Sequence, residues 1–131
     1  MRPLERTLKR LREHARLVGE QRTTLAERYI DEGLLMDEFP GVYFLDGALG
    51  RRPAVIGTGL DVWEIIKVVK DNDGSIEGTA SYLEIDPRLV ALAGRYYGSN
   101  RDEIDEWIER VHELSKREED KWRAGREALA S

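Results

Sequence analysis

The sequence predicts a mainly α fold carrying one small β-hairpin, and three observations predict it. Apolar residues recur at spacings of three and four over most of the chain, the period of helices with one buried face. Two β-prone runs, Val42-Tyr43-Phe44-Leu45 and Ala54-Val55-Ile56, stand together between helical segments, with the turn residues Asp46-Gly47 and Gly50 separating them. Residues 76–90 carry the spacing of two helices crossing over a tight turn. Counted from Ile76, the fifth residue is the small Ala80, and the eighth, tenth and fifteenth are the apolar Leu83, Ile85 and Val90. The fifth must be small because the second helix crosses there. The ninth, where glycine is common, is Glu84. The expected order is an N-terminal basic helical pair (1–38), a β-hairpin and turn (39–60), a three-helix helix-turn-helix core (61–98) and a long, charged C-terminal helix or arm (99–131), all in one folded unit.

Each element has its own signal. Leu4, Leu8, Leu11, Ala15 and Val18 form the apolar stripe of a first helix over 4–18, and Gly19 is placed to end it in the left-handed conformation. Thr24 with Glu27 reads as the capping box of a second helix, whose apolar face is Leu25, Ala26, Tyr29, Ile30 and Leu34. Gly33 in its interior weakens it and suggests close packing, and Phe39-Pro40-Gly41 ends it. The link Gly-x-x-x-Thr-Thr-Leu between the two helices resembles that of ribbon-helix-helix repressors, but only Met1-Arg2-Pro3 precede the first helix, where those proteins carry a strand. The plainer expectation is a helical hairpin covering the core.

Pro53 cannot donate to a central ladder, so its strand is expected at an edge or to start there. Gly57-Thr58-Gly59 lacks the spacing and the Lys-Ser/Thr of a phosphate loop and reads as a turn into the next helix. Asp61 caps that helix, and Val62, Ile65, Ile66 and Val69 form its buried face with Trp63 at a flank. Asp71-Asn72-Asp73-Gly74 has the look of a calcium loop, but its first ligand position would be Val69, so it reads as a turn. Ser75 caps a short helix over 76–83. Asp86 caps the next, with Pro87 at its first position, where a missing N–H is harmless. Asn100 with Glu103 reads as a further capping box, and Ile104, Ile108, Val111 and Leu114 form the stripe of the last helix. Beyond Leu114 the only large apolar residues are Trp122 and Leu129. That tail is expected to be a solvated helix or an arm for a partner.

Composition narrows the function classes. The 131 residues hold 21 Lys/Arg and 26 Asp/Glu, a net charge of −5, and no Cys, which excludes disulfides and thiolate-bound metals. The N-terminus has no apolar signal core and no run is long enough to span a bilayer, so a cytoplasmic protein without a membrane partner is expected. Charge is unevenly spread: residues 1–28 hold eight Lys/Arg against four Glu, and the remainder is acidic. The only histidines, His14 and His112, lie on charged helices with no partner at metal-ligand spacing. No catalytic residue, metal ligand or cofactor site stands out, and the chain is not expected to be an enzyme.

Binding is the remaining class. On the second helix of the helix-turn-helix, Arg88 and Arg95 are candidates for reading bases or clamping phosphate, with Arg6, Lys9, Arg10 and Arg12 of the basic head as further phosphate contacts. Glu84 and Asp86 beside Arg88 would repel phosphate, and the rest of the helix is largely apolar. In the tail, Trp122 among Lys121, Arg123 and Arg126 has the composition of an interface hot spot.

Across residues 52–105 the sequence resembles the bacterial domain-of-unknown-function family DUF four-three-three, whose members are described as VapB-type antitoxins. The matching residues are Pro53-Ala54-Val55-Ile56-Gly57-Thr58, Val62, Ile65, Ala80, Val90, Tyr96-Tyr97 and Arg101-Asp102-Glu103-Ile104-Asp105. The family usually has Arg after the Gly-Thr, and here that residue is Gly59. The resemblance implies a homodimer with a homeodomain-like helix-turn-helix that neutralises a PIN-like ribonuclease toxin and represses its own operon by binding operator DNA. By analogy of mechanism, the tail residues Trp122, Lys121, Arg123 and Arg126 would bind the toxin. The alternative is a stand-alone dimeric helix-turn-helix transcriptional regulator.

Overall fold

A computed structural model describes residues 2–131. Among them the chain forms α1 (Pro3–Val18), α2 (Arg22–Glu38), β1 (Val42–Gly47), β2 (Gly50–Val55), β3 (Leu60–Asp61), α3 (Val62–Asp71), α4 (Ile76–Leu83), α5 (Pro87–Ser99) and α6 (Arg101–Ala130). The mainly α fold with a small antiparallel sheet is as the sequence predicts. The core lies between α3, α4, α5 and the first half of α6, with β1 and β2 closing one side. Val55, Val62, Ile65, Val90, Tyr96 and Ile104 are each at most 1% exposed within it.

The sheet has three strands in the order β1-β2-β3, one more than expected. Gly57-Thr58-Gly59 does not lead straight into a helix; it reverses the chain so that Leu60-Asp61 pairs with Val55 and Ala54. The Thr58 hydroxyl holds that turn by donating to Val55 O at 2.7 Å. Pro53 thus lies in the central strand, but β3 stops opposite Ala54. Ile56 N–H points to Gly41 O on the β1 side, so alternation turns the Pro53 nitrogen away from β1, just past the end of β3. At that one position the strand is an edge. The β1–β2 loop is only Ala48-Leu49, since Gly47 pairs with Gly50. Arg110 of α6 ties it down by donating to Leu49 O at 3.2 Å while its guanidinium stacks on Trp107. Gly41 leads into β1 with φ +107°, and a Cβ there would meet Leu92 Cδ2 at 2.8 Å, so any other residue would be strained and would have to push Leu92 aside.

The helix-turn-helix spacing is realised in α4 and α5. Ala80 and Val90 are buried, and Leu83 and Ile85 pack against the same core. Ser75 caps α4 by accepting Gly78 N–H at 2.9 Å, and Asp86 caps α5 by accepting Arg88 N–H at 2.8 Å. Glu84 takes the left-handed conformation (φ 56°, ψ 46°) that the turn demands, without being glycine. A non-glycine residue there carries about 1–2 kcal/mol of strain. Glu84→Gly is therefore expected to raise stability by about 1 kcal/mol, seen as a higher urea midpoint at unchanged m-value.

Four local expectations are corrected. The second helix starts at Arg22 after Gln21, not at a Thr24 cap, and Thr24 lies inside its first turn with no capping hydrogen bond. The reversal is compact because Gly19 (φ 73°) stops α1 at once, and Glu20 then binds Arg28 at 2.9 Å across the corner. The face Tyr29, Ile30 and Leu34 does not cover the core: these residues are 44%, 64% and 57% exposed. What α2 turns to the body is a different face, Glu32, Leu35 and, just past its end, Phe39. A Cβ on Gly33 would meet nothing within 4 Å, so that glycine does not serve close packing.

The fourth correction lies at the α5–α6 junction. Asn100 makes no side-chain cap to α6; its amide donates back to Tyr96 O at 3.1 Å. Glu103 turns inward and accepts the Tyr96 hydroxyl at 3.1 and 3.2 Å. Burial raises the Glu103 pKa above the ordinary 4.5, Tyr96 O–H opposes the rise and the charge of Asp31 adds to it. Burial and the neighbouring Glu103 likewise push the Tyr96 hydroxyl upward. With the folded pKa above the unfolded one, the native state holds the proton more tightly. Glu103 therefore contributes stability that is fully present below pH 4.5 and lost as pH rises through the native value. Glu103→Gln keeps an acceptor for Tyr96 and has no charge to bury. Urea unfolding at about pH 4 and about pH 7 is expected to show a smaller loss of stability in the variant than in the parent.

Candidate functional site

The tail is helical without a core to fold on. From Ser115 to Ser131 every residue is exposed, yet α6 continues unbroken to Ala130. Its Ala, Glu, Lys and Arg content favours helix, and ion pairs one turn apart add support: Glu118–Lys121 at 3.3 Å, Glu119–Arg123 at 3.1 Å and Asp120–Arg123 at 3.7 Å. Sixteen residues beyond Leu114 give an arm about 24 Å long at 1.5 Å per residue.

Trp122 sits in the middle of this arm, 63% exposed and not folded back on the body. The Arg126 guanidinium lies 4.9 Å from its ring centre. Leu129, 90% exposed, falls seven residues after Trp122 and extends the same face. Lys121 and Arg123, also expected to contact a toxin, flank this stripe but are engaged with Glu118, Glu119 and Asp120. The face of the arm outside these ion pairs is therefore Trp122, Arg126 and Leu129. Leu129 joins the candidate face through its spacing from Trp122.

The candidate DNA contacts are not brought together. Arg88 lies in the first turn of α5, its side chain 89% exposed, but Nη2 holds Asp86 Oδ2 at 2.9 Å and Nε is 3.3 Å from both oxygens. That pairing lowers the Asp86 pKa. With Glu84 and Asp86 at the turn, the exposed start of α5 is acidic on balance. Arg95 is exposed, with no ion pair among the described residues. Arg6, Lys9, Arg10 and Arg12 are exposed on α1, which packs on α2, whereas α5 packs on α3, α4 and α6.

No family model, curated protein or solved structure matches the chain.

Two clusters that spacing does not reveal complete the surface. Glu32, 7% exposed on α2, takes two hydrogen bonds from Arg51 of β2, Nε to Oε2 at 2.8 Å and Nη2 to Oε1 at 2.6 Å. Asp61 takes Arg52 Nε at 2.7 Å and Trp63 Nε1 at 3.0 Å. Both are structural links, paired and closed to a ligand. Among the described residues no group of three or more His, Asp or Glu is arranged to hold a metal ion, and no helix is long and apolar enough to cross a membrane. The open features are the arm, the unpaired basic residues of α1 and an apolar groove between α1 and α2.

Proposed function

We propose that this chain is the antitoxin of a toxin–antitoxin pair, and that it neutralises a PIN-like ribonuclease by laying the α6 arm across the enzyme. The observation that carries this reading is Trp122, held in solvent on a preformed helix with Arg126 stacked on its ring. A nuclease of that class gathers carboxylates around divalent metal. A guanidinium presented beside a large aromatic anchor has the charge and the desolvating surface to sit on such a cluster. Because the arm is already helical, docking loses little conformational entropy.

Binding to protein is favoured over base reading because Arg88 is occupied by Asp86 in an acidic turn. Operator binding enters as a secondary role, supported by Arg6, Lys9, Arg10 and Arg12 on α1 and by Arg95. In that role DNA is held through phosphates, with a steep loss of affinity in salt.

Co-purification tests the proposal. The tagged chain, expressed with the gene product encoded beside it, is expected to retain that product at a fixed ratio through 0.5 M salt washes, which screen surface charge contacts to within about 5 Å. Recovery of the chain with promoter DNA and no second protein would favour the stand-alone regulator.

A further inference from the structure

We propose that the open face of the α1–α2 hairpin seats a second copy of this chain, the two hairpins pairing as a four-helix bundle with each α1 lying over the partner's α2. The inference does not rest on the antitoxin reading, which concerns the opposite end of the chain.

The first observation is how little the hairpin buries by itself. Of the sixteen residues of α1 only Ala15 is buried, and α2 is its one substantial packing partner. Leu4, Leu8, Leu17, Tyr29 and Ile30 are 44–80% exposed around an open groove of ≈ 900 Å³ between the two helices. Two helices about 24 Å long and about 10 Å wide present a face of roughly 500 Å² in projection, whose apolar part is formed by these five side chains with Leu11 and Ala26. Isolated helices of this length are marginal in water and take their stability from a packed apolar face. Here most of that face has no packing partner within the chain.

The second observation is charge. Over Pro3–Val18 five basic residues stand against two acidic, a balance of +3. Over Arg22–Glu38 five acidic residues stand against two basic; with Glu32 turned inward onto Arg51, four remain against two, a balance of −2. The hairpin is thus complementary to itself, as a two-fold interface requires. Two such axes can bring the faces together. An axis running along the helices sets α1 over the partner's α2, basic on acidic and antiparallel. An axis across the helices sets α1 over α1, basic on basic. Charge selects the first. A partner recognised through positive charge alone would leave the acidic half of the face unmatched.

In the first arrangement residues at one height in the hairpin meet across the axis. The His14 and Tyr29 rings lie 6.2 Å apart within one chain and so mark a common level. About one and a half turns further from the loop, Leu8 and Leu34 share another.

The test starts from the mass of the purified chain. Sedimentation equilibrium at micromolar concentration is expected to give twice 15.1 kDa. Leu8→Asp and Ile30→Asp are each expected to give a single 15.1 kDa species with helical content kept, because both side chains are already exposed in one chain. The absence of native Cys allows a second readout. Leu8→Cys mixed with Leu34→Cys is expected to oxidise to a disulfide-linked pair, and Tyr82→Cys, exposed on α4, is not. A monomeric parent chain, or a dimer that survives both Asp variants, overturns the proposal. Cross-linking of Leu8→Cys to itself in preference to Leu34→Cys overturns the arrangement of α1 over α2. The Asp variants leave Trp122 and Arg126 intact, so capture of the neighbouring gene product is expected to continue in them.

Discussion

Trp122→Ala is expected to weaken binding to the neighbouring gene product by at least about 30-fold, equivalent to about 2 kcal/mol for a hot-spot aromatic. Stability is expected to stay within about 0.5 kcal/mol of the parent, because the side chain is 63% exposed on an arm whose every residue is exposed. Arg126→Ala is expected to lower affinity about tenfold or more, through its charge and through the lost stacking at 4.9 Å. Arg126→Lys keeps the charge without the planar fork and is expected to fall between. Lys121→Ala and Arg123→Ala break ion pairs on exposed helix surface and are expected to change affinity less than threefold, since both charges are already engaged. Isothermal titration of each variant with the purified neighbouring protein separates these values. Equal affinities for Trp122→Ala and the parent would remove the arm from the account.

Glu32→Ala is expected to be the most damaging single change to stability outside the apolar core. The carboxylate is buried where α2 meets β2, and it takes both donors of one edge of Arg51. Removing one member of a buried pair leaves the other charge uncompensated, typically at about 3–5 kcal/mol. Arg51 retains Asp46 at 3.2 Å and some solvent access, which places the expected loss at or just below the bottom of that range, about 2–3 kcal/mol. In a domain of this size the corresponding fall in Tm is about 10 °C. The pair also raises the Arg51 pKa, mainly through its hydrogen bonds to Glu32. Because the link fastens the hairpin to the body, amide exchange is expected to quicken first in α1 and α2. A Tm shift of under about 2 °C would show that the pair contributes no more than a surface ion pair.

What could be read from the sequence depended on whether a signal is local. Ser75, Asp86 and Pro87 act within one turn of themselves, and each sits where its chemistry places it. The fifth, eighth, tenth and fifteenth positions of the helix-turn-helix were legible because they repeat the geometry of one crossing. Glu84 was legible as an oddity, and its left-handed backbone gives the reason. The errors arose where a residue had two possible partners. Thr24 and Asn100 both have cap chemistry, but the turn closed two residues before Thr24 and the Asn100 amide found Tyr96 O. Glu103 has the spacing of a capping box and went to a tyrosine hydroxyl that only the tertiary fold supplies. Strand β3 is two residues long, too short for any periodicity.

The candidate surfaces divide in the same way. Periodicity identifies the apolar stripe of α2 correctly but says nothing about which body it faces; Tyr29, Ile30 and Leu34 face solvent in the single chain. Composition marks Trp122 as unusual, and the structure adds that it stands clear of the body with Arg126 on its ring. Arg88 shows the converse, since its type and position suit DNA while its neighbour Asp86, two residues away, occupies it.

The most direct measurement is a titration of the neighbouring gene product's ribonuclease activity with this chain. Stoichiometric loss of RNA cleavage is expected with the parent chain, and persistence of cleavage at the same concentration of a Trp122→Ala, Arg126→Ala double variant that is still folded. Full cleavage at excess parent chain, or equal inhibition by parent and double variant, would contradict neutralisation by the α6 arm.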